Sequence, residues 1–542
     1  FRLNLRIVYR TSPNASALKW LTPEQTLGKK YPYLFSQCQP IHARSILPCQ
    51  DTPSVKFTYK AEIYHPEELN VLMGAIRVSN QNGFAEFEQT VPIPAYLLAI
   101  AIGNLVCQKI GPISNVWAEE GIIKKSFIVF SEISEFISLV EGICGPYLWK
   151  QYDILVMPPS FSIDGVENPC LAFVNSTLIE GDTSLINVIA HGIAHSWTGN
   201  LVTNKNFEHL WLNKGFTAFI EEKIIGSIKG DKERDLLSIR NLFELKKCIR
   251  SQLKYTPHLK KLIVDLSNSK PDDAFSLIPH VKGSIFLRYI EDMLGGPSIF
   301  EPFMCSFFEI FKYTSVLTGD FKAYLYHYFG EKNLDGKLDN INWNLWLHGE
   351  GMPPSLPKLD DSLAIVSLNL SELWSLNNYD IKLSLQSLEK ITSEQLIFFL
   401  EQLINRSEIV ELNEEKILLL ERKYNLTSNR NSEAKFRFLR LCIRAKLMDR
   451  MGEIIAFANS NFRMKFVRPI YRDLANWPEA KPIAIANFNR VKDQMMTDCS
   501  KQIAKDLGLT YNDSTIWCEV DPINVQMTAV CSTLVDQNSG LN

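Results

Sequence analysis

Three things are scarce in this 542-residue sequence, and each scarcity excludes a class of protein. No stretch approaches eighteen uninterrupted apolar residues, the length a membrane-spanning helix needs. The best candidate, VPIPAYLLAIAIGNLV at Val91 to Val106, is broken by Pro92, Pro94 and Gly103 and reads as a buried strand region. Net charge is only −3, so the surface offers no general attraction for nucleic acid or an anionic membrane, and basic residues must act locally. The eleven cysteines are scattered, odd in number and without a C-x-x-C pair, which favours reduced thiols in a cytoplasmic setting over a disulfide framework. No signal-peptide pattern opens the sequence, which starts at Phe1 rather than Met, so part of the true amino terminus is expected to be absent.

What is present is HGIAHSWTGNLVTNKNFEHLWLNKGF, His191 to Phe216. Asp182 and Ser184 are placed to cap a helix whose apolar residues Leu185, Ile189, Ile193 and Trp197 recur every four positions, with Gly199 as its stop. His191 and His195 then share one face. A zinc hydrolase takes two imidazoles from such a pair and a carboxylate from a neighbouring helix, and leaves the fourth position to a water whose pKa falls to about 7. A glutamate beside the first histidine takes that water's proton. Here the neighbour is Gly192, which accepts no proton and costs the helix roughly 1 kcal/mol relative to alanine. Two histidines four apart on an apolar helix are, by themselves, more often hydrogen-bonded core residues than ligands.

The longer run VIAHGIAHSWTGNLVTNKNFEHLWLNKG resembles the motif of the gluzincin aminopeptidases, His-Glu-x-x-His followed after eighteen residues by Glu, and in particular the leukotriene A4 hydrolase group. Ser196 to Asn213 supply the eighteen residues between His195 and Lys214, so the register is kept while the carboxylate is not. PPSFSIDGVENPCLAF (Pro158 to Phe173) is similar to the family's Gly-x-Met-Glu-Asn segment and reads Gly165-Val166-Glu167-Asn168. WLTPEQTLGKKYPYLFSQCQ, ILPCQDTPSVKFTY and FRMKFVRPIYRDL match further family segments, and the resemblance covers roughly residues 10 to 508.

The resemblance implies roles position by position. His191 and His195 match zinc ligands, and Lys214 stands at the third ligand's position. Glu167 matches the residue that holds a substrate's amino group, with Gly165 in the same segment and Gln37 and Gln39 lining that end of the cleft. Arg463 and Lys465 match a basic pair that grips a substrate carboxylate, and Asp272 an acidic residue associated with epoxide hydrolysis. Phe275 and His280 stand where the family has tyrosines, the second of which stabilises the transition state. Outside that context Arg463 and Lys465 read as a solvated basic face, Glu167 as a loop carboxylate, and Asp272 with Asp273 as a helix amino terminus.

Three departures at one site set the functional expectation. Loss of a general base commonly forfeits about 10² to 10⁴ in rate. An ammonium in place of a metal carboxylate removes a ligand and sets positive charge beside a dication, a repulsion of several kcal/mol at an effective dielectric near 20. Zinc, the family's cofactor, is therefore expected to be absent or weakly bound, and the chain to be a pseudoenzyme that still holds a short peptide or an amphipathic carboxylic acid. Lys214 itself is expected near the vacated metal position, hydrogen-bonded by the two imidazoles and attracted to Glu167. Alternatives are a working aminopeptidase or epoxide hydrolase with compensating ligands, His280 among them, and a degenerate product without activity.

The expected architecture is α+β and multidomain. Residues 1–105 alternate in strand fashion, as in FRLNLRIVY and VKFTYKAEIY, and resemble only the second half of a β-rich amino-terminal domain, whose open sheet edges predict poor solubility. Residues 106–350, where helices dominate, are expected to form a thermolysin-like peptidase domain. The linker GMPPSLPKLDDS leads to helical stretches over 363–508, opened by a capping box at Thr392-Ser393-Glu394-Gln395 and matching a carboxy-terminal α-solenoid. Residues 509–542 read as a loose tail.

Overall fold

The computed structural model describes residues 5–179, 186–375, 391–407, 412–511 and 532–533. Its first hundred residues form two antiparallel sheets. One orders the strands Leu18–Leu21, Tyr33–Ser36, Ile100–Gly103 and Asn70–Met73. The other pairs Lys56–Tyr64, Phe84–Pro94 and Ile76–Gln81, and Ser532–Thr533 lies along the outer edge of Lys56–Tyr64. Alternate residues of Lys56–Tyr64 are buried, the period-two pattern of a strand with one face on a core. FRLNLRIVY departs from expectation: its described residues form no strand, and Leu5, Ile7, Val8 and Tyr9 are exposed. Alternation specifies a face, but without a neighbouring strand it cannot make a sheet.

The region 106–350 does not start helical. A five-stranded mixed sheet runs Gly165–Asn168, Cys170–Val174, Tyr152–Val156, Asn115–Ala118, Val106–Lys109, with Tyr152–Val156 buried throughout because it has parallel neighbours on both sides. Its edge strand Gly165–Asn168 carries Glu167 and packs against the helix Ile186–Ala194. The proposed cap at Asp182 and Ser184 lies outside the described residues, and the helix ends at Ala194, short of Trp197 and of the expected stop; Gly199 follows in a turn, at φ +90, where a Cβ would strike the Asn213 side chain.

Behind the sheet stands Trp211–Lys229, a helix buried on nearly every side and packed on Ile186–Ala194, Asp231–Arg250, Gly283–Leu294 and the π-turn Ile278–Lys282. Its crossing with Gly283–Leu294 is unusually close, since a Cβ on Gly215 would lie 2.8 Å from the Gly283 Cα. That approach fixes the π-turn, and with it His280, against the helix that carries Lys214.

Helices from Ser362–Ser375 to Thr497–Leu507 follow, and the Thr392 capping box is made in full, Gln395 N to Thr392 Oγ1 at 3.2 Å and Thr392 N to Gln395 Oε1 at 3.1 Å. The apolar interior divides in two, one cluster continuous from Ala17 to Leu347 and another from Leu370 to Leu507. The β-rich and peptidase regions thus share one core. A smaller cluster with Leu21, Phe35, Phe161, Phe173 and Met496 joins all three regions. The tail beyond Tyr511 lies outside the described residues apart from Ser532–Thr533.

Gly215→Ala should destabilise the protein by about 1–3 kcal/mol, because the added methyl meets backbone that cannot yield and this outweighs alanine's better helix propensity. Gly142→Ala, in the helix Ile133–Cys144 with nothing near its Cβ, should instead stabilise by about 0.5–1 kcal/mol. Urea midpoints of the two variants check both signs.

Candidate active site

His191 and His195 are aimed by partners on their far sides. His191 Nδ1 lies 2.8 Å from Glu221 Oε2, and His195 Nδ1 lies 3.0 Å from the Thr198 carbonyl and 3.2 Å from Thr217 Oγ1. A carboxylate or carbonyl accepting from Nδ1–H fixes the tautomer and leaves Nε2 as a lone pair, which is how metal-binding imidazoles are held. The ring centroids are 4.9 Å apart.

Lys214 occupies the place where those lone pairs converge. Its Nζ is 3.1 Å from His195 Nε2, and Glu167 Oε2 is 4.0 Å from the same nitrogen. Burial, then Lys214 and His191, hold the His195 pKa well below its ordinary value, so the imidazole is neutral and accepts from the ammonium. Burial lowers the Lys214 pKa and nearby Glu167 opposes that shift. Of the expected pair of imidazole bonds the one to His195 is formed, and His191 meets Glu221 through its other nitrogen, Nδ1.

Gly192 opens the space beside this contact. A Cβ there would stand 3.2 Å from the Tyr152 hydroxyl and 3.9 Å from Glu167 Cγ. His280 comes within 5.4 Å of His191, ring centre to ring centre, and burial with the neighbouring His191 and Lys214 pushes its pKa down to about 3. His191, Glu221 and His280 offer ligand atoms within 4.8 Å of one another.

Other expected residues are placed less centrally. Glu167 projects from the edge strand, its main chain tied by Asn200 Nδ2 at 3.0 Å, and Gly165 lets that strand lie close to the Phe173 carbonyl. Gln37 and Gln39 follow the strand Tyr33–Ser36 and are half-buried. Asp272 is exposed in the short turn Pro271–Ala274, 3.6 Å from His42 Nε2, and Asp273 caps that turn by accepting from Lys270 N. Phe275 is partly exposed and lies near Phe207.

Of the basic pair, Arg463 is buried while Lys465 is exposed. Arg463 is 3% exposed and both cations are already paired, Arg463 Nε with Asp164 at 2.6 Å and Lys465 Nζ with Glu433 at 2.6 Å. Their segment is pinned to the peptidase region by main-chain bonds, Phe462 N to Pro159 O and Met464 N to Ser162 O.

Sequence reasoning passed over Glu221, Asp164, Tyr152 and Glu433. Glu221 had a signal, since it follows Lys214 by two helical turns and so shares its face. Asp164 directly precedes the quoted Gly165-Val166-Glu167-Asn168 segment.

The imidazole pair fits a zinc ion and its supporting partners are in place, but the third position does not fit, because Lys214 offers donors where a metal needs a lone pair.

Known proteins place this geometry. Residues 2–97 match the Peptidase M1 N-terminal domain, 131–346 the Peptidase family M1 domain, and 391–507 the Leukotriene A4 hydrolase, C-terminal domain. Leukotriene A-4 hydrolase of Xenopus laevis is 42% identical over 509 residues, 92% of this chain and 83% of that protein. Leucine aminopeptidase 2 of Yarrowia lipolytica is 38% identical, over 93% of this chain and 79% of its own length. The solved structure of native yeast leukotriene A4 hydrolase superposes with a TM-score of 0.86 at 37% identity, covering 92% of this chain and 82% of that one, and a yeast complex with bestatin gives 0.84 at 36%, covering 92% and 81%. Matched in order from strand-rich start to helical end, the chain belongs to peptidase family M1, as a leukotriene A4 hydrolase-like member of its zinc aminopeptidases.

Proposed function

We propose that this chain is a pseudoenzyme of its family, a cytoplasmic protein whose cleft holds short peptides or amphipathic carboxylic acids without hydrolysing them. One observation carries the reading: Lys214 Nζ stands 3.1 Å from His195 Nε2, on the lone pair that a metal would use. A dication about 4 Å from that ammonium would be repelled by about 8 kcal/mol at an effective dielectric of 20, twice the unit-charge value. Zinc in this family competes here against a neutral imidazole already satisfied by a protein donor. Gly192 leaves no group to take a water's proton, and His280, with its pKa pushed down to about 3, is neutral where the family resemblance expects a phenol.

Binding is supported by what is kept. Glu167 offers a partly exposed carboxylate at the mouth of the histidine site, suited to an ammonium. Relatives are named for leucine aminopeptidase activity, and one yeast structure holds bestatin. The described cysteines other than Cys49 are free, which agrees with a reducing compartment, and among the described residues no helix is long and apolar enough to cross a membrane.

A second reading, hydrolysis with compensating ligands, is favoured by the triangle His191, Glu221 and His280. Zinc content separates the two. The purified protein should carry far less than one zinc per chain by elemental mass spectrometry and leave aminoacyl chromogenic substrates intact. Stoichiometric zinc that disappears in His280→Ala would favour the second reading and defeat the first.

Lys214→Glu should restore zinc affinity by itself, and adding Gly192→Glu and His280→Tyr should bring back aminopeptidase turnover, provided the Tyr152 hydroxyl yields by a few tenths of an ångström to the new side chain. Glu167→Gln should weaken binding of a tripeptide with a free amino terminus by about 1.5–3 kcal/mol, read by calorimetry, and leave its amino-acetylated form unaffected.

A further inference from the structure

The acids that meet Arg463 and Lys465 are not equivalent. Glu433 is a fixed structural acid: its side chain is only 10% exposed, and it receives Lys465 at 2.6 Å and Arg437 at 2.7 Å, with Arg463 Nη1 at 3.7 Å. Arg437 in turn holds Glu401 at 2.7 Å, and Lys247 meets Glu401 from the solvent side. Asp164 differs in being 57% exposed in its side chain while its carboxylate reaches in to a guanidinium that is 3% exposed. Burial would raise the Asp164 pKa, but Arg463 overrides it and keeps the group ionised below its ordinary value. Three further groups surround that guanidinium. Thr177 Oγ1 accepts from Nη1 at 3.3 Å, Glu433 approaches from the helical region, and the Phe466 ring lies 4.8 Å from its centre. Among these partners Asp164 is the one with a largely exposed side chain, so it marks the side of Arg463 nearest solvent.

Asp164 is also well chosen by position. It lies three residues before Glu167 on the approach to the strand Gly165–Asn168, so the acid on Arg463 and the anchor for an amino group belong to one short segment. Its backbone is held, Asn175 N donating to Asp164 O at 3.2 Å, which leaves the side chain as the movable part.

We infer that Asp164 is a built-in occupant of the carboxylate anchor, so that the cleft as folded selects peptides with a neutral carboxyl end and admits a free carboxylate only by displacing Asp164. This rests on the peptide-binding reading above, narrows its ligands to peptides with a neutral carboxyl end, and counts against amphipathic carboxylic acids as the alternative ligand. The chemistry is competition between like groups. A ligand carboxylate and the Asp164 carboxylate want the same N–H donors, and the tethered one is present at an effective concentration in the millimolar range or above. If both crowd the site, they repel each other and the buried Glu433 as well. An amide or ester end makes no such demand and loses nothing.

The test is calorimetric titration of wild type and Asp164→Asn with the tripeptide Arg-Ala-Phe, as free acid and as carboxy-terminal amide. Wild type should bind the amide at least as tightly as the acid. Asp164→Asn should tighten the acid about ten- to a hundredfold, the range of a charged hydrogen bond, and leave the amide unchanged. A wild type that prefers the acid, or an acid-to-amide ratio untouched by Asp164→Asn, overturns the inference while leaving peptide binding intact. Absence of heat with either peptide in both proteins, each showing a cooperative melt, would defeat the peptide-binding reading itself and the inference with it. Should Asp164→Asn fail to fold, Asp164→Ser repeats the comparison, and the wild-type ratio alone still decides against the inference if the acid wins.

Discussion

The organisation of the cleft depends on a lysine donating to a neutral histidine. Lys214 and His195 are 3.1 Å apart, and the bond requires that His195 carry its proton on Nδ1, toward the Thr198 carbonyl, and present Nε2 bare. Both conditions are met by groups that would also hold a metal-binding imidazole. The same is true of Glu221 on His191. The supporting partners of a zinc site have therefore been kept, and the exchange of one carboxylate for one ammonium has changed what the imidazoles support. Beside the imidazoles stands a single protein charge, with Glu167 close enough to balance it.

The fold tolerates this because it never relied on the metal for cohesion. The helix with Lys214 is buried by its neighbours on nearly every side, and its tightest contact, Gly215 against Gly283, is steric. One apolar cluster runs from the first sheet to Leu347 and encloses the histidine helix without asking anything of its polar face. Hydrophobic burial of this extent dominates folding energetics, while metal ligation contributes most in small domains that lack such a core. Peptidase architecture at 42% identity to a leukotriene A4 hydrolase is thus compatible with a changed centre.

What the sequence made legible was whatever has a fixed period. The helical repeat put His191 and His195 on one face, the eighteen-residue spacing brought Lys214 to the same point, and the Thr392 box formed as its residues require. Alternation misled at FRLNLRIVY, since a strand is realised only by a neighbour and none is supplied there. Pairings across long separations left no periodic trace: Asp164 and Arg463 are 299 residues apart, and nothing local in either segment announces the other. The family resemblance singled out Arg463 and Lys465 as a pair, yet their being already neutralised by Asp164 and Glu433 emerges only when the helical region docks on the peptidase region through Phe462 and Met464.

The Lys214 and Arg463 contacts follow one electrostatic rule. At one a protein ammonium donates to an imidazole, and at the other a carboxylate sits on a guanidinium. Each contact satisfies a charge in a partly desolvated space, where an unbalanced charge is most costly. A cleft balanced in this way has little field to project, and with a net charge of −3 over 542 residues the whole chain adds little more. Long-range steering of charged ligands is then weak, and under the proposed binding role selection would fall to contact, a ligand gaining by matching Glu167 with an ammonium and by bringing no second anion to Arg463.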